Sequence, residues 1–133
     1  MPDPPLVWLV QPPPNLTGKA ACLDDTQFGL GLLSLAAWLE QCGVTVRGLH
    51  MPLAIREGHA VDALVQRIAS SRPTVVAIGL NWVHFSRGAL QLAARLREAL
   101  PDLAIVLGGQ HASLFTRELV GRPGVTGVIV GEA

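Results

Sequence analysis

Short apolar, β-rich runs alternate with longer stretches of helical spacing along this whole chain, and that alternation constrains its fold more than any other feature. Leu6, Val7, Trp8, Leu9 and Val10 are continuously apolar, as suits a strand covered on both faces. Residues 28–42 read as the first helix, with Leu32, Leu35, Ala36 and Leu39 on one face. Leu30, Leu33, Ala37 and Trp38 cover most of the rest, and a helix apolar all round is expected to be buried all round. Gly43 is placed to cap it in the left-handed conformation. A second strand is expected at 44–49, a connection at 51–58, and a second helix at 59–70 with Val61, Leu64, Val65 and Ile68 as its stripe. Arg72-Pro73 ends that helix. Residues 74–80 form the clearest strand, and 81–85 a loop. Ser86 is the expected N-cap of a third helix that buries Ala89, Leu92, Ala93, Leu96 and Leu100. The fourth strand is expected at 103–107, broken by Gly108-Gly109. Ser113 is expected to cap a short helix ending near Gly121, and the fifth strand falls at 125–130.

Strands and helices alternating at this pitch imply a parallel sheet with right-handed crossovers and helices on both faces. The expectation is a doubly wound, flavodoxin-like (Rossmann-like) α/β fold with five strands ordered 2-1-3-4-5. The 133 residues suit one domain, 1–133.

Charged residues make up 15% of the chain and hydrophobic residues 50%, against a usual charged share of about 25%. The domain therefore has a generous core, or it exposes apolar surface that something else covers. Ten basic and ten acidic side chains cancel, which gives no reason to expect nucleic acid or an anionic membrane as partner. Cys22 and Cys42 are too few and too far apart for a redox pair or a zinc site. They read as a free loop thiol and a buried helix-end thiol in a reduced, cytoplasmic setting. The start has Asp3 and no basic segment. The longest apolar stretch, 29–39, is about half the length of a membrane span.

In an open sheet of this kind ligands bind beyond the carboxyl ends of the strands, near the switch between the first and third. That rule selects residues 11–18, 81–85, 108–113 and 131–132. Asn81, Trp82, Val83, His84 and Phe85 put aromatic rings and an imidazole there, as a large flat ligand would require. Gly108-Gly109 would let backbone amides approach a ligand. The helix that follows would aim its first amides at a phosphate or at carbonyl oxygens. The plainer readings are a tight turn at the glycines, a core-capping Trp82, and hydrogen-bonded structural roles for His84 and His111. No role is assigned to His50 or His59. The chain has no G-x-S-x-G elbow and no phosphate loop of the G-x-x-x-x-G-K-[ST] type. Gly29-Leu30-Gly31 lacks the third glycine of a dinucleotide fingerprint. Prolines, not paired acids, follow the first strand, which fits a receiver domain poorly.

Several segments carry a resemblance. They are 7–13 (ending Gln11-Pro12-Pro13), 28–39 (opening Phe28-Gly29-Leu30-Gly31), 43–46, 73–79, Gly108-Gly109-Gln110-His111-Ala112-Ser113, and Val130-Gly131-Glu132. Together they resemble the cobalamin-binding domain in front of many radical S-adenosylmethionine enzymes, mostly methyltransferases. The resemblance implies cobalamin as cofactor, with its corrin ring over the strand ends and its nucleotide tail among the strands. Gly108, Gly109, His111 and Ser113 would line the tail, and Gly131 and Glu132 would close the far side. Asn81, Trp82, Val83 and His84 would face the lower side of the ring, with Gln11, Pro13 and the proline loop at the front.

The resemblance also implies a C-terminal catalytic barrel in the same polypeptide, carrying a 4Fe-4S cluster and S-adenosylmethionine. The chain itself has no C-x-x-x-C-x-x-C run for that cluster, so it is not expected to be catalytic alone. It also lacks the D-x-H-x-x-G motif whose histidine ligates cobalt in the methionine-synthase type, so cobalt would have no motif histidine and Trp82 would cover its lower face. Two other readings remain open at this point: the nucleotide-sugar-binding half of a glycosyltransferase, and an interaction domain without a ligand.

Overall fold

In the computed structural model residues 3–16 and 29–131 are described. Residues 17–28, with Cys22, Phe28 and the end of the selected segment 11–18, and Glu132 lie outside the described residues. Five strands, β1 (Leu6–Gln11), β2 (Thr45–His50), β3 (Val75–Gly79), β4 (Ala104–Gly108) and β5 (Gly127–Ile129), form one parallel sheet. Its order is β2-β1-β3-β4-β5, the flavodoxin-like arrangement expected from the alternation. The helices are α1 (Leu30–Gln41), α2 (Met51–Arg56), α3 (Val61–Ser70), α4 (Ser86–Ala99), α5 (Gln110–Leu114) and α6 (Thr116–Leu119). Among the described residues no helix is long and apolar enough to cross a membrane.

Side chains alternate between the two faces of a strand, and here the two sets differ in size. Trp8 and Val10, Val76 and Ile78, and Ile105 and Leu107 join Leu64, Val65 and Ile68 of α3 and Leu92, Ala93 and Leu96 of α4 in one buried core. Val10, Ile78 and Leu107 stand in register across three strands. The alternate residues of the central strands are Ala77 and Gly79 on β3, and Val106 and Gly108 on β4. On that second face the side chains dwindle to glycine at the carboxyl ends.

Several sequence expectations are corrected. α1 is apolar nearly all round, yet it has no buried residue. It contacts the sheet chiefly at β2, and the small side chains beyond do not reach it. Its end is as expected, with Gly43 at φ +84° and the Val44 amide donating to the Leu39 carbonyl. Cys42 is exposed, not buried. The expected connection after β2 is the helix α2. It has Pro52 in its first turn, His50 Nδ1 accepting from the Leu53 amide at 3.1 Å, and Met51 and Ala54 buried. Six residues are too few to show a helical period in sequence.

Ser86 makes no capping bond. A 3-10 turn, Val83–Phe85, precedes α4 with Phe85 buried. Ser113 does not start a helix either: it lies inside α5, and the expected fourth helix is two short ones interrupted at Phe115.

Candidate functional site

Because α1 stands off the sheet and the face beneath it is small, a cleft of about 960 Å³ opens between them. Ala77 and Gly79 of β3, Val106 and Gly108 of β4, and Ile129 of β5 form its floor. Leu32, Leu35 and Trp38 of α1 form one wall, and Ser113 and Leu114 of α5 the other. Among the described residues no charged side chain lines it. A volume of this size with mostly apolar walls suits a large organic ligand.

The mouth is held by bonds between successive strand ends. Asn81 Oδ1, at the end of β3, accepts from the Gln110 amide at 3.1 Å. The Leu80 carbonyl accepts from the Ala112 amide at 3.2 Å. Ser113 Oγ donates to the Gly109 carbonyl at 2.9 Å and accepts from the Gly131 amide at 2.9 Å, which ties the end of β4 to the end of β5. Gly109 makes this turn possible. Its φ of +114° with ψ of 178° belongs to glycine alone. A Cβ there would fall 2.6 Å from Asn81 Oδ1 and 2.7 Å from the Leu80 carbonyl oxygen.

These bonds change one expectation. The amides of Gln110 and Ala112 at the start of α5 are already engaged by the protein. They are not aimed at a ligand phosphate, because the five-residue helix is tucked against the end of β3.

Of the residues singled out from sequence, Asn81, Gly108, Gly109, Ser113 and Gly131 are brought together along the cleft. Trp82, Val83 and His111 border an adjoining hollow of about 240 Å³, which shares Asn81, Gln110 and Leu114 with the cleft. Trp82 is 62% exposed there. His111 Nε2 pairs with Ser86 Oγ at 3.0 Å and its ring lies 4.5 Å from that of Phe115, while exposed His84 lies against Phe85 at 4.2 Å. Gln11 is buried at the end of β1, beside Gly79. Pro13 is turned the other way: a Cβ on Gly88 would fall 1.6 Å from its carbonyl oxygen, so the proline loop closes tightly on α4. Glu132 lies outside the described residues. Among the described residues no cluster of His, Cys, Asp or Glu could hold a metal ion.

Sequence reasoning missed the inner side of α1 (Leu32, Leu35, Trp38) and the strand floor (Ala77, Val106). A signal existed. Reading alternate residues of the third and fourth strands gives Val75, Ala77, Gly79 and Ala104, Val106, Gly108, sets that end in glycine where a ligand enters.

A family model described as a B12 binding domain matches residues 18–133. No match is found among curated proteins.

Proposed function

The chain belongs to the B12-binding domain family, and from that premise we propose that it is the cobalamin-carrying module of a radical S-adenosylmethionine methyltransferase. The observation that carries the reading is the largely apolar cleft of about 960 Å³ at the carboxyl ends of β3, β4 and β5. Its residues fit the cofactor. Gly79 adds no side chain to the space that Leu32 and Gln11 border, Gly109 lets the end of β4 turn tightly against Leu80 and Asn81, and the apolar floor suits an aromatic base.

Gly108, Gly109, Ser113 and Gly131 would hold the tail, and Asn81, Trp82, Val83 and His84 would border the ring. Bound cobalamin supplies a cobalt centre that accepts and gives up a methyl group. The chain's own residues bind it, orient it and exclude water. Trp82, projecting beside the smaller hollow, is the side chain that would keep a further ligand off the metal. The radical chemistry needs a cluster motif that these 133 residues do not contain, so their share of the reaction is to carry the cofactor. The run Gly108-Gly109-Gln110-His111-Ala112-Ser113 and the missing D-x-H-x-x-G motif support the methyltransferase setting over the methionine-synthase type.

The test is retention of hydroxocobalamin after desalting. The wild-type domain should stay red, and Gly109→Val should lose the colour while keeping its far-ultraviolet circular dichroism. A colourless wild-type domain, or a Gly109→Val variant that retains the cofactor unchanged, would count against the reading. Electron paramagnetic resonance of the bound cobalt(II) form should show no nitrogen from the protein, and a histidine signature there would overturn the assignment to Trp82.

A further inference from the structure

Beside the mouth of the cleft, one buried polar group has no partner among the described residues. Gln11 is only 7% exposed and is the only polar side chain buried among the described residues. Among those residues its amide has no hydrogen-bond partner. Strand alternation puts it on the face of Ala77 and Gly79. The open space over Gly79 is bounded by Leu32 Cδ1 at 3.3 Å and Gln11 Oε1 at 3.7 Å, both measured from where a Cβ would stand. Leu32 and Gly79 line the cleft, so the amide stands beside this corner of the mouth, across the space over Gly79 that Leu32 also borders.

A buried amide left unpaired is costly, and such groups are paired in native structures as a rule. A ligand atom in the cleft would supply the missing partner. The corner is otherwise apolar, so the ligand part that reaches it is mostly apolar too, with a polar edge. A heteroaromatic base fits that description. A carboxamide offers one donor and one acceptor side by side, which suits a ring nitrogen and, better, a ring nitrogen beside an exocyclic amine.

We infer that Gln11 is a specificity-determining residue, whose amide hydrogen-bonds the base of the ligand's nucleotide tail and selects cobamides by that base. This rests on the cobalamin reading of the cleft. A site built around a buried hydrogen-bonding group discriminates against a ligand that cannot satisfy it.

The experiment titrates wild type, Gln11→Leu and Gly79→Ala with four probes. These are hydroxocobalamin, a cobamide with an adenine base, a cobamide with a phenolic base lacking ring nitrogen, and cobinamide, which has no tail. Each probe's own cost of freeing its base from cobalt is the same for every protein, so the comparison between proteins isolates the side chain. Gln11→Leu should weaken the adenine and benzimidazole forms by about tenfold relative to the phenolic form, as one lost hydrogen bond implies, and should leave cobinamide unchanged. Gly79→Ala should weaken all three tailed probes and spare cobinamide, because its Cβ meets only the flexible end of Leu32 and the amide, and the fold survives.

Equal losses for nitrogen-containing and phenolic bases in Gln11→Leu, or a loss for cobinamide, would overturn the inference while leaving cobalamin binding intact. Failure of the wild-type protein to bind any probe would instead overturn the reading of the cleft.

Discussion

The two faces of the sheet share the same five strands and have opposite fates. On one, Trp8, Val10, Val76, Ile78, Ile105 and Leu107 meet α3 and α4 with almost no exposed surface. On the other, Ala77, Gly79, Val106 and Gly108 lie under a helix with no buried residue. α1 is the more apolar helix by composition, yet it is the one left open: Leu30 is 77% and Trp38 61% exposed. Hydrophobic character therefore did not decide which face was sealed. Complementary size did, since close packing needs atoms on both sides of a contact. The sealed face carries the stability of the domain, and the open one carries its capacity for a ligand.

That division can be broken by substitution. The largest effect is expected on the sealed face. Leu92→Ala removes a side chain with no solvent exposure and should cost about 2–5 kcal/mol in urea unfolding. A loss below that range would mean the α4 core is looser than its burial implies. Next comes filling the open face. Ala77→Leu puts bulk into existing space, so unfolding stability should hold while hydroxocobalamin affinity drops at least about tenfold, or roughly 1.4 kcal/mol. Undiminished affinity would show that the ligand does not use the floor of the cleft. The smallest effect belongs to the outer side of α1. Leu33→Ala, at a position 52% exposed, should change unfolding stability by no more than about 0.5 kcal/mol. A larger loss would show that this side of α1 is packed in solution.

Much of this was legible in the chain. The continuous apolar run at β1, the stripe of α3 and the buried face of α4 each follow from spacing, and the parallel order follows from their alternation. Convergence of the candidate residues was legible too: Asn81, Gly108, Gly109, Ser113 and Gly131 come from different segments and meet along one cleft. The bonding roles of the loop residues were less legible. Ser86 and Ser113 look like caps in sequence, where a serine before an apolar run is scored by its neighbours alone. Their actual partners, His111, Gly109 and Gly131, lie up to 25 residues away. The short helix α2 was lost for the opposite reason, because its three buried residues, Met51, Pro52 and Ala54, cannot display a period.

By itself the sequence determined the five strands, the long helices and the direction and order in which they lie. Those properties depend on local spacing, chain handedness and backbone conformation, which a residue carries wherever it is placed. Only the tertiary structure decided that α1 buries none of its residues and leaves a cleft over β3 and β4, that the first amides of α5 are used internally, and that Gln11 is buried beside Gly79 with no partner among the described residues. These depend on the distance between groups far apart in the chain, and that distance is set by how completely side chains from two elements fill the space between them.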